Sequence, residues 1–292
     1  MRLARVQTEN GIQLAISTGE GAIMLNRHIP ELGSDMLKLI QDWDNWSAHI
    51  REILEEGHAP EPVATGNWLR PLDRPGKILA IGLNYADHIA ETGMSRPDRQ
   101  LWFNKLPNTA NDPYNTIPLP RAGSQVDYEV ELVAVIAKPC RHLDAAQARD
   151  HVFGYCVGND VSVRDWQRAS PQWTLGKSFD GHAPFGPWIT LDSAVENPHA
   201  LDIQCRVNGD VRQKSNTRHL VYSIWDQIAH LSQVLTLEPG DLIFTGTPGG
   251  VGVAMEPPRF LAQGDIVRCE ISELGHIENC CEPEGAGDGP GT

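Results

Sequence analysis

Two carboxylates stand two residues apart in the apolar run Val126-Asp127-Tyr128-Glu129-Val130-Glu131-Leu132-Val133. On an extended strand alternate side chains share a face, so Glu129 and Glu131 point one way while Val130 and Leu132 point the other. Like charges on an apolar strand repel and lose hydration, and a hard divalent cation offsets both costs. A solvated edge strand gives the same local pattern, so the pair alone decides nothing. Asp160 adds a third carboxylate in Gly158-Asn159-Asp160-Val161-Ser162, and Arg164, Gln167 and Lys177 come after it. Together these residue types suit an oxygen-rich organic anion held on a metal ion. Gly176-Lys177-Ser178 is not a phosphate loop, because Pro171 stands where that motif needs its first glycine.

Two further groups bear chemistry. His88 and Glu91 are three residues apart and share a face if Asn84 to Gly93 turns as a helix. A carboxylate beside an imidazole fixes its tautomer and supports its basicity, which makes a general base. A plain surface pair is the competing reading. The strand pattern Asp241 to Phe244 runs into Thr245-Gly246-Thr247-Pro248-Gly249-Gly250-Val251-Gly252. The amides and hydroxyls of such a loop can face an anion.

The positioning elements follow from periodicity. Leu3–Val6, Ile12–Ile16 and Ala22–Leu25 read as short strands, and Ser34 to Glu56 reads as one helix capped by Ser34 and stopped at Gly57. Trp43 and Trp46 belong to its apolar face as core residues. His58-Ala59-Pro60-Glu61-Pro62 is linker-like and sets a domain boundary near residue 70. Lys77–Leu83 reads as a buried strand, Leu101–Pro120 as loop-rich around Phe103-Asn104-Lys105, and Leu143–Val152 as a helix. Leu201–Val207 ends at the hairpin signal Asn208-Gly209. Leu220–Leu235 is the clearest helix, and Ile266–Ile271 the last strand. From Glu282 the chain is rich in Gly and Pro and reads as a disordered tail.

Composition narrows the class. The 292 residues carry a formal net charge of -14, which leaves no basic face for nucleic acid. No apolar run is long enough to span a bilayer and no targeting segment opens the chain, so a cytoplasmic protein is expected, with no membrane partner. The six cysteines form no Cys-x-x-Cys pair and read as thiols.

Several of these pieces, in order, resemble the fumarylacetoacetate hydrolase superfamily in its small bacterial branch. They are Gly82-Leu83-Asn84-Tyr85-Ala86-Asp87-His88, Asp127-Tyr128-Glu129-Val130-Glu131-Leu132, Gly158 to Gln167, Gly176-Lys177-Ser178-Phe179-Asp180, Ala183 to Trp188, Val207-Asn208-Gly209 and the Thr245–Gly252 loop. The resemblance implies an α+β, β-rich fold. Mixed β-sheets would roll into an open barrel-like catalytic domain over 71–282, with a small N-terminal α/β support domain over 1–70 and a tail over 283–292, in a homodimer. It implies that Glu129, Glu131 and Asp160 hold Mg2+ or Mn2+, with Ca2+ able to take their place in crystals. Lys177 would stand at the substrate oxyanion. Arg164, Gln167, Thr247 and Tyr85 would bind substrate, with Thr247 on its carboxylate. His88 and Glu91 would activate water from a lid that orders on binding.

The substrate implied is a small 2-oxo acid. Cleavage of a carbon–carbon bond in a 2,4-diketo acid of the acylpyruvate type, to pyruvate and a carboxylic acid, leads. Decarboxylation of an oxaloacetate-type acid, or isomerisation of a 2-hydroxy-diene-dioate in aromatic catabolism, is the alternative. Two places depart from the family pattern: Leu106 to Asn111, where a small-residue and glycine motif is expected, and His182, where Thr or Phe is.

Overall fold

The computed structural model describes residues 1–19, 21–92 and 98–285. Its frame is an eleven-stranded mixed sheet. In spatial order the main path runs Ala22–Met24, Gly11–Ser17, Arg2–Thr8, Ala183–Leu191, Val152–Asn159, Val130–Ile136, Leu242–Phe244, Ile78–Gly82 and Leu101–Lys105. Most pairs are antiparallel, but Leu242–Phe244 lies parallel to Ile78–Gly82. A five-stranded sheet is ordered Asp210–Asn216, Asp202–Val207, Ile266–Ile271, Gly275–Pro283 and Ile117–Leu119. The α+β, β-rich class expected from the sequence is therefore what forms, as mixed sheets without a closed barrel among the described residues.

Alternation decides which side chains build which core. Val130, Leu132, Ala134 and Ile136 face a cluster shared with Ile203, Cys205, Val267, Cys269 and Ile277 of the smaller sheet and with Ile224, Ile228 and Leu231 of the helix Ile224–Val234. Val133 and Val135 face a second cluster with Phe185, Ile189, Phe244 and the N-terminal Leu14, Ile16, Leu39, Ile40 and Ile50. The strand Val130–Ile136 is thus buried on both faces. Burying a Val, Leu or Ile side chain contributes roughly 1.5–3 kcal/mol, so a strand packed on both sides is a rigid place from which to hold carboxylates. Trp43 meets Phe153 edge-on with ring centroids 5.2 Å apart, which docks the N-terminal helices onto the sheet.

Several expectations change. The helix expected over Ser34–Glu56 is two, Met36–Gln41 and Trp43–Glu55. Asp35, not Ser34, caps the first by accepting from the amides of Leu37 and Lys38, and the turn breaks at Asp42. The sheet crosses the boundary drawn near residue 70, since Arg2 and Leu3 pair with Thr190 and Ile189. The helix in Leu143–Val152 shortens to Ala145–Ala148, tightens into a 3-10 turn over Arg149–His151 and gives way to a strand at Val152. The tail expected from Glu282 is ordered as far as Glu284. Cys281, Glu282 and Pro283 pair with Ile117, Pro118 and Leu119, and the Glu284 amide donates to the Leu119 carbonyl. Residues 286–292 of that tail, and residues 93–97 of the implied lid, lie outside the described residues. The six cysteines are free thiols, five of them buried. No helix among the described residues is long and apolar enough to cross a membrane.

Candidate metal centre and active site

The site forms where the strands Val130–Ile136 and Val152–Asn159 end together. Their antiparallel register sets Glu131 opposite Gly158 and Val130 opposite Asn159. A side chain at Gly158 would collide with Val133 Cγ2 at 2.5 Å and Phe244 Cε1 at 2.7 Å, so glycine lets the strands close. Asn159 Oδ1 accepts from the Glu129 amide at 2.9 Å, and the Asp160 amide donates to the Glu129 carbonyl at 2.8 Å. These bonds fold Glu129 and Asp160 towards each other. One carboxylate oxygen from each of Glu129, Glu131 and Asp160 falls within 4.8 Å of the others, and all three residues are buried.

Two short helices bring the cations. Arg164–Arg168 and Thr174–Lys177 touch through Gly176, where a Cβ would lie 2.3 Å from the Gln167 nitrogen. That contact delivers Lys177 Nζ to Glu129 Oε2 at 2.6 Å and Asp160 Oδ2 at 2.7 Å. Arg164 pairs with Asp127 at 2.9 Å and Glu129 at 2.7 Å, and donates to Gln167 Oε1 at 2.9 Å. Lys105, from the edge strand Leu101–Lys105, lies 2.7 Å from Asp160 Oδ1 and donates to the carbonyls of Val161 (3.1 Å) and Lys177 (2.5 Å).

Four carboxylates (Asp127, Glu129, Glu131, Asp160) therefore face three cations. Burial alone would raise the Glu129 pKa, but the charges of Lys177 and Arg164 outweigh it and hold it below the ordinary carboxylate value. Glu131 goes the other way. Burial, then the neighbouring Asp160 and Glu129, push it well above that value, and its one hydrogen bond among the described residues is from the Gly246 amide at 2.8 Å. Lys177 is raised, because Asp160 and Glu129 outweigh its burial. Lys105 is lowered, because burial outweighs Asp160. A buried carboxyl facing two others, in no salt bridge among the described residues, is the charge pattern of a divalent-ion site. The residues present fit a hard divalent cation, because all three donors are carboxylate oxygens.

The glycine loop does face anions, but they are the chain's own. The amides of Gly246, Gly249, Gly250 and Gly252 donate to Glu131 (2.8 Å), Asp87 (3.4 Å), Glu91 (2.9 Å) and Asp127 (2.8 Å). Gly250 has φ +101°, and a Cβ there would meet the Arg212 carbonyl at 2.0 Å, so this path needs glycine. The helix Ala86–Thr92 forms as expected, and His88 Nδ1 lies 3.4 Å from Glu91 Oε2. With Nδ1–H turned to Glu91, Nε2 is the nitrogen free to exchange a proton.

A cavity of about 50 Å³ opens onto these groups. His88, Glu129, Glu131, Arg164, Gln167, Lys177 and Thr247 line it, with Ile81, Gly82, Leu83, Phe103 and Trp173. Three expected substrate contacts look different in place. Thr247 donates to the Val130 carbonyl (3.0 Å) and accepts from Gln213 (2.8 Å), so its hydroxyl proton is already engaged. Each guanidinium nitrogen of Arg164 has a protein partner, so Arg164 orients Glu129 first. Gln167 uses its Oε1 on Arg164, and its amide N–H groups meet no acceptor among the described residues, which leaves them for a ligand. Tyr85 is fully buried and does not line the cavity; its hydroxyl has no hydrogen-bond partner among the described residues, and burial followed by Glu131 raises its pKa. Lys105 and Asp127 were not singled out from the sequence. For Asp127, the apolar neighbours Val126 and Tyr128 were the only hint.

Residues 77–282 match the family described as Fumarylacetoacetate (FAA) hydrolase C-terminal. The mitochondrial oxaloacetate tautomerase FAHD2A of Bos taurus is 41% identical over 285 residues, spanning 96% of this chain and 91% of the relative. Among solved structures, maleylpyruvate hydrolase from Sphingobium sp. SYK-6, in complex with manganese(II) ion and pyruvate, superposes with a TM-score of 0.82 at 33% identity, covering 97% of this chain and 99% of that one. The 5-carboxymethyl-2-hydroxymuconate delta-isomerase of Mycobacterium smegmatis gives 0.75 at 30%, covering 98% and 100%. Catalysis of this kind and a divalent-ion site follow. The cytoplasmic placement expected from the sequence does not stand, because the cattle relative is mitochondrial by name.

Proposed function

The chain belongs to the fumarylacetoacetate hydrolase family, and from that premise we propose that it interconverts the keto and enol forms of a four-carbon 2-oxo dicarboxylic acid of the oxaloacetate type. The observation that carries this reading is the cavity of about 50 Å³ with one acid–base residue, His88, at an ion site. Pockets for drug-sized ligands run to roughly 300–1,000 Å³, so a substrate of few atoms fits best. The tautomerase name of the cattle relative supports the same reading.

When bound by Glu129, Glu131 and Asp160, a divalent ion would supply Lewis-acid polarisation of the substrate's carboxylate and 2-oxo oxygens. The rest is done by side chains. His88, oriented by Glu91, takes a proton from the carbon between the 2-oxo carbon and the distal carboxylate; the electron pair of that C–H bond becomes the C=C bond, and the π pair of the C=O bond moves to the 2-oxo oxygen. Lys177, kept charged by Asp160 and Glu129, stabilises the growing negative charge. The proton is then delivered from His88 to that oxygen, giving the enol, and the reverse sequence restores the ketone. Positioned acid–base catalysis of this type contributes roughly 10²–10⁴-fold.

The hydrolytic reading stays as the second, supported by the His88–Glu91 pair and by the likeness to maleylpyruvate hydrolase. There His88 would take its proton from water, which attacks the distal carbonyl of an acylpyruvate. One experiment separates the two. Enol oxaloacetate is mixed with enzyme and Mg2+, and its absorbance decay is followed beside acylpyruvate cleavage. Tautomerisation accelerated well beyond buffer, and reduced roughly 100-fold or more in His88→Ala, supports the proposal. Decay at the buffer rate overturns it, and brisk acylpyruvate cleavage alongside would install hydrolysis instead.

A further inference from the structure

One corner of the cavity has an arrangement that neither ion binding nor proton transfer uses. Trp173 lines the cavity, and its carbonyl accepts from the Lys177 amide at 3.0 Å, so its position is tied to the lysine. Its indole packs on the Phe103 ring with centroids 5.4 Å apart and planes at 59°. Phe103 in turn lies 4.8 Å from Lys177 Nζ. The space the indole occupies exists because residue 82 has no side chain. A Cβ there would lie 2.6 Å from Trp173 Cζ3 and 3.0 Å from Cη2. Gly82 has no left-handed φ, unlike many other glycines of the chain, so glycine is needed for the indole and not for the backbone. The next residue, Leu83, also lines the cavity and does have a left-handed backbone, φ 54°. Leucine is disfavoured there, and such strain concentrates at ligand sites.

We propose that Trp173, seated against Gly82 and Phe103, is the specificity-determining wall of the site. It admits 2-oxo acids no larger than a four-carbon diacid and excludes those with a bulky group beyond the 2-oxo carbon. This rests on the reading that a 2-oxo acid is the substrate, and it adds which residue sets the size limit. Removing the indole enlarges the cavity and leaves Glu129, Glu131 and Asp160 unchanged, so ion binding is retained while size selection is lost.

The test is a thermal-shift titration of the intact protein loaded with Mn2+, using pyruvate as the small probe and phenylpyruvate as the large one. Wild type should be stabilised by pyruvate, with an apparent Kd for phenylpyruvate at least tenfold weaker. In Trp173→Ala, and in the milder Trp173→Leu should the first fold poorly, the two Kd values should converge. Gly82→Ala alone should lower the melting temperature, and Gly82→Ala combined with Trp173→Ala should recover much of that loss, because the clash is with the indole. An unchanged probe ratio in both Trp173 variants overturns the proposal, as does equal binding of both probes by wild type or the absence of any pyruvate shift. The enol-decay assay reports on tautomerisation separately, so a failure there leaves the binding ratio as an independent measure of the wall.

Discussion

Lys105→Met tests the buried charge network with little change of shape. The methionine keeps the apolar stem and removes the ammonium, whose partners are Asp160 at 2.7 Å and the carbonyls of Val161 and Lys177. Neither Lys105 nor Asp160 has solvent-exposed side-chain surface. Breaking such a pair from one side costs about 3–5 kcal/mol, because the remaining charge stays buried. Asp160 keeps Lys177 at 2.7 Å, which lowers the cost, and two carbonyls lose a donor, which raises it by roughly 1–3 kcal/mol each if nothing replaces it. A net loss of about 4 kcal/mol is expected. The measurement is a urea titration in chelator-treated buffer. The midpoint should fall by more than about 1 M, given slopes of roughly 3 kcal/mol/M or somewhat above for a chain this large. Saturating Mg2+ should restore part of the loss, since a ligand at about 1,000 times its Kd adds about 4.1 kcal/mol to the native state. Asp160→Asn on the Lys105→Met background should cost much less than on wild type. A midpoint unchanged by Lys105→Met, or two fully additive mutations, would refute the claim that this ammonium balances Asp160.

Glu131→Gln should leave ion-free stability equal or higher, because burial and the neighbouring Asp160 and Glu129 already disfavour the charged form of this carboxyl, while abolishing the melting-temperature rise that Mg2+ or Mn2+ gives wild type. Gly176→Ala should separate the two short helices, with loss of about 1–3 kcal/mol and of turnover; wild-type turnover with a lowered melting temperature would show that Lys177 does not depend on that contact. His182 is buried and its pKa is lowered to about 4, chiefly by desolvation, with Lys105 adding to it. The unfolded chain therefore takes up this proton first as pH falls, so the stability contribution of about 3 kcal/mol, full above pH ~6.5, is lost between pH ~6.5 and ~4. Stability profiles of wild type and His182→Phe should differ in slope within that window and run parallel above it. Asp35→Ala should cost about 1 kcal/mol through loss of the cap on Met36–Gln41, read as a lower urea midpoint with unchanged activity.

The ion-site trio was legible because two of its members are set by strand alternation and the third follows a strand end, and both patterns are local. His88 and Glu91 were legible for the same reason, through helical spacing. Lys105 was not. It ends a short edge strand like many lysines, and only the fold carries it to Asp160, far along the chain. The glycine loop was read correctly as a binder of negative charge and incompletely as to whose charge, since its partners Glu131, Asp127 and Glu91 lie 115, 125 and 159 residues earlier. The N-terminal strands read correctly as strands, but nothing local could announce that Arg2 pairs with Thr190. The break at Asp42 is not legible because the apolar period runs on across it, and the choice between Ser34 and Asp35 is not legible because both are good caps.

The amides of Gly246 to Gly252 act as a clasp between two parts of the machinery that would otherwise be independent. One end of the clasp grips Glu131, the middle grips Asp87 and Glu91 on either side of His88, and the far end grips Asp127, the carboxylate behind Arg164. Any excursion that swings His88 outward must therefore release Glu91 or Asp87 from the same short ribbon that steadies Glu131. On the proposed reading, opening for substrate entry and loosening of the ion cage would be a single event, so ion exchange should be fastest when the site is empty and slowest when it is closed on its acid.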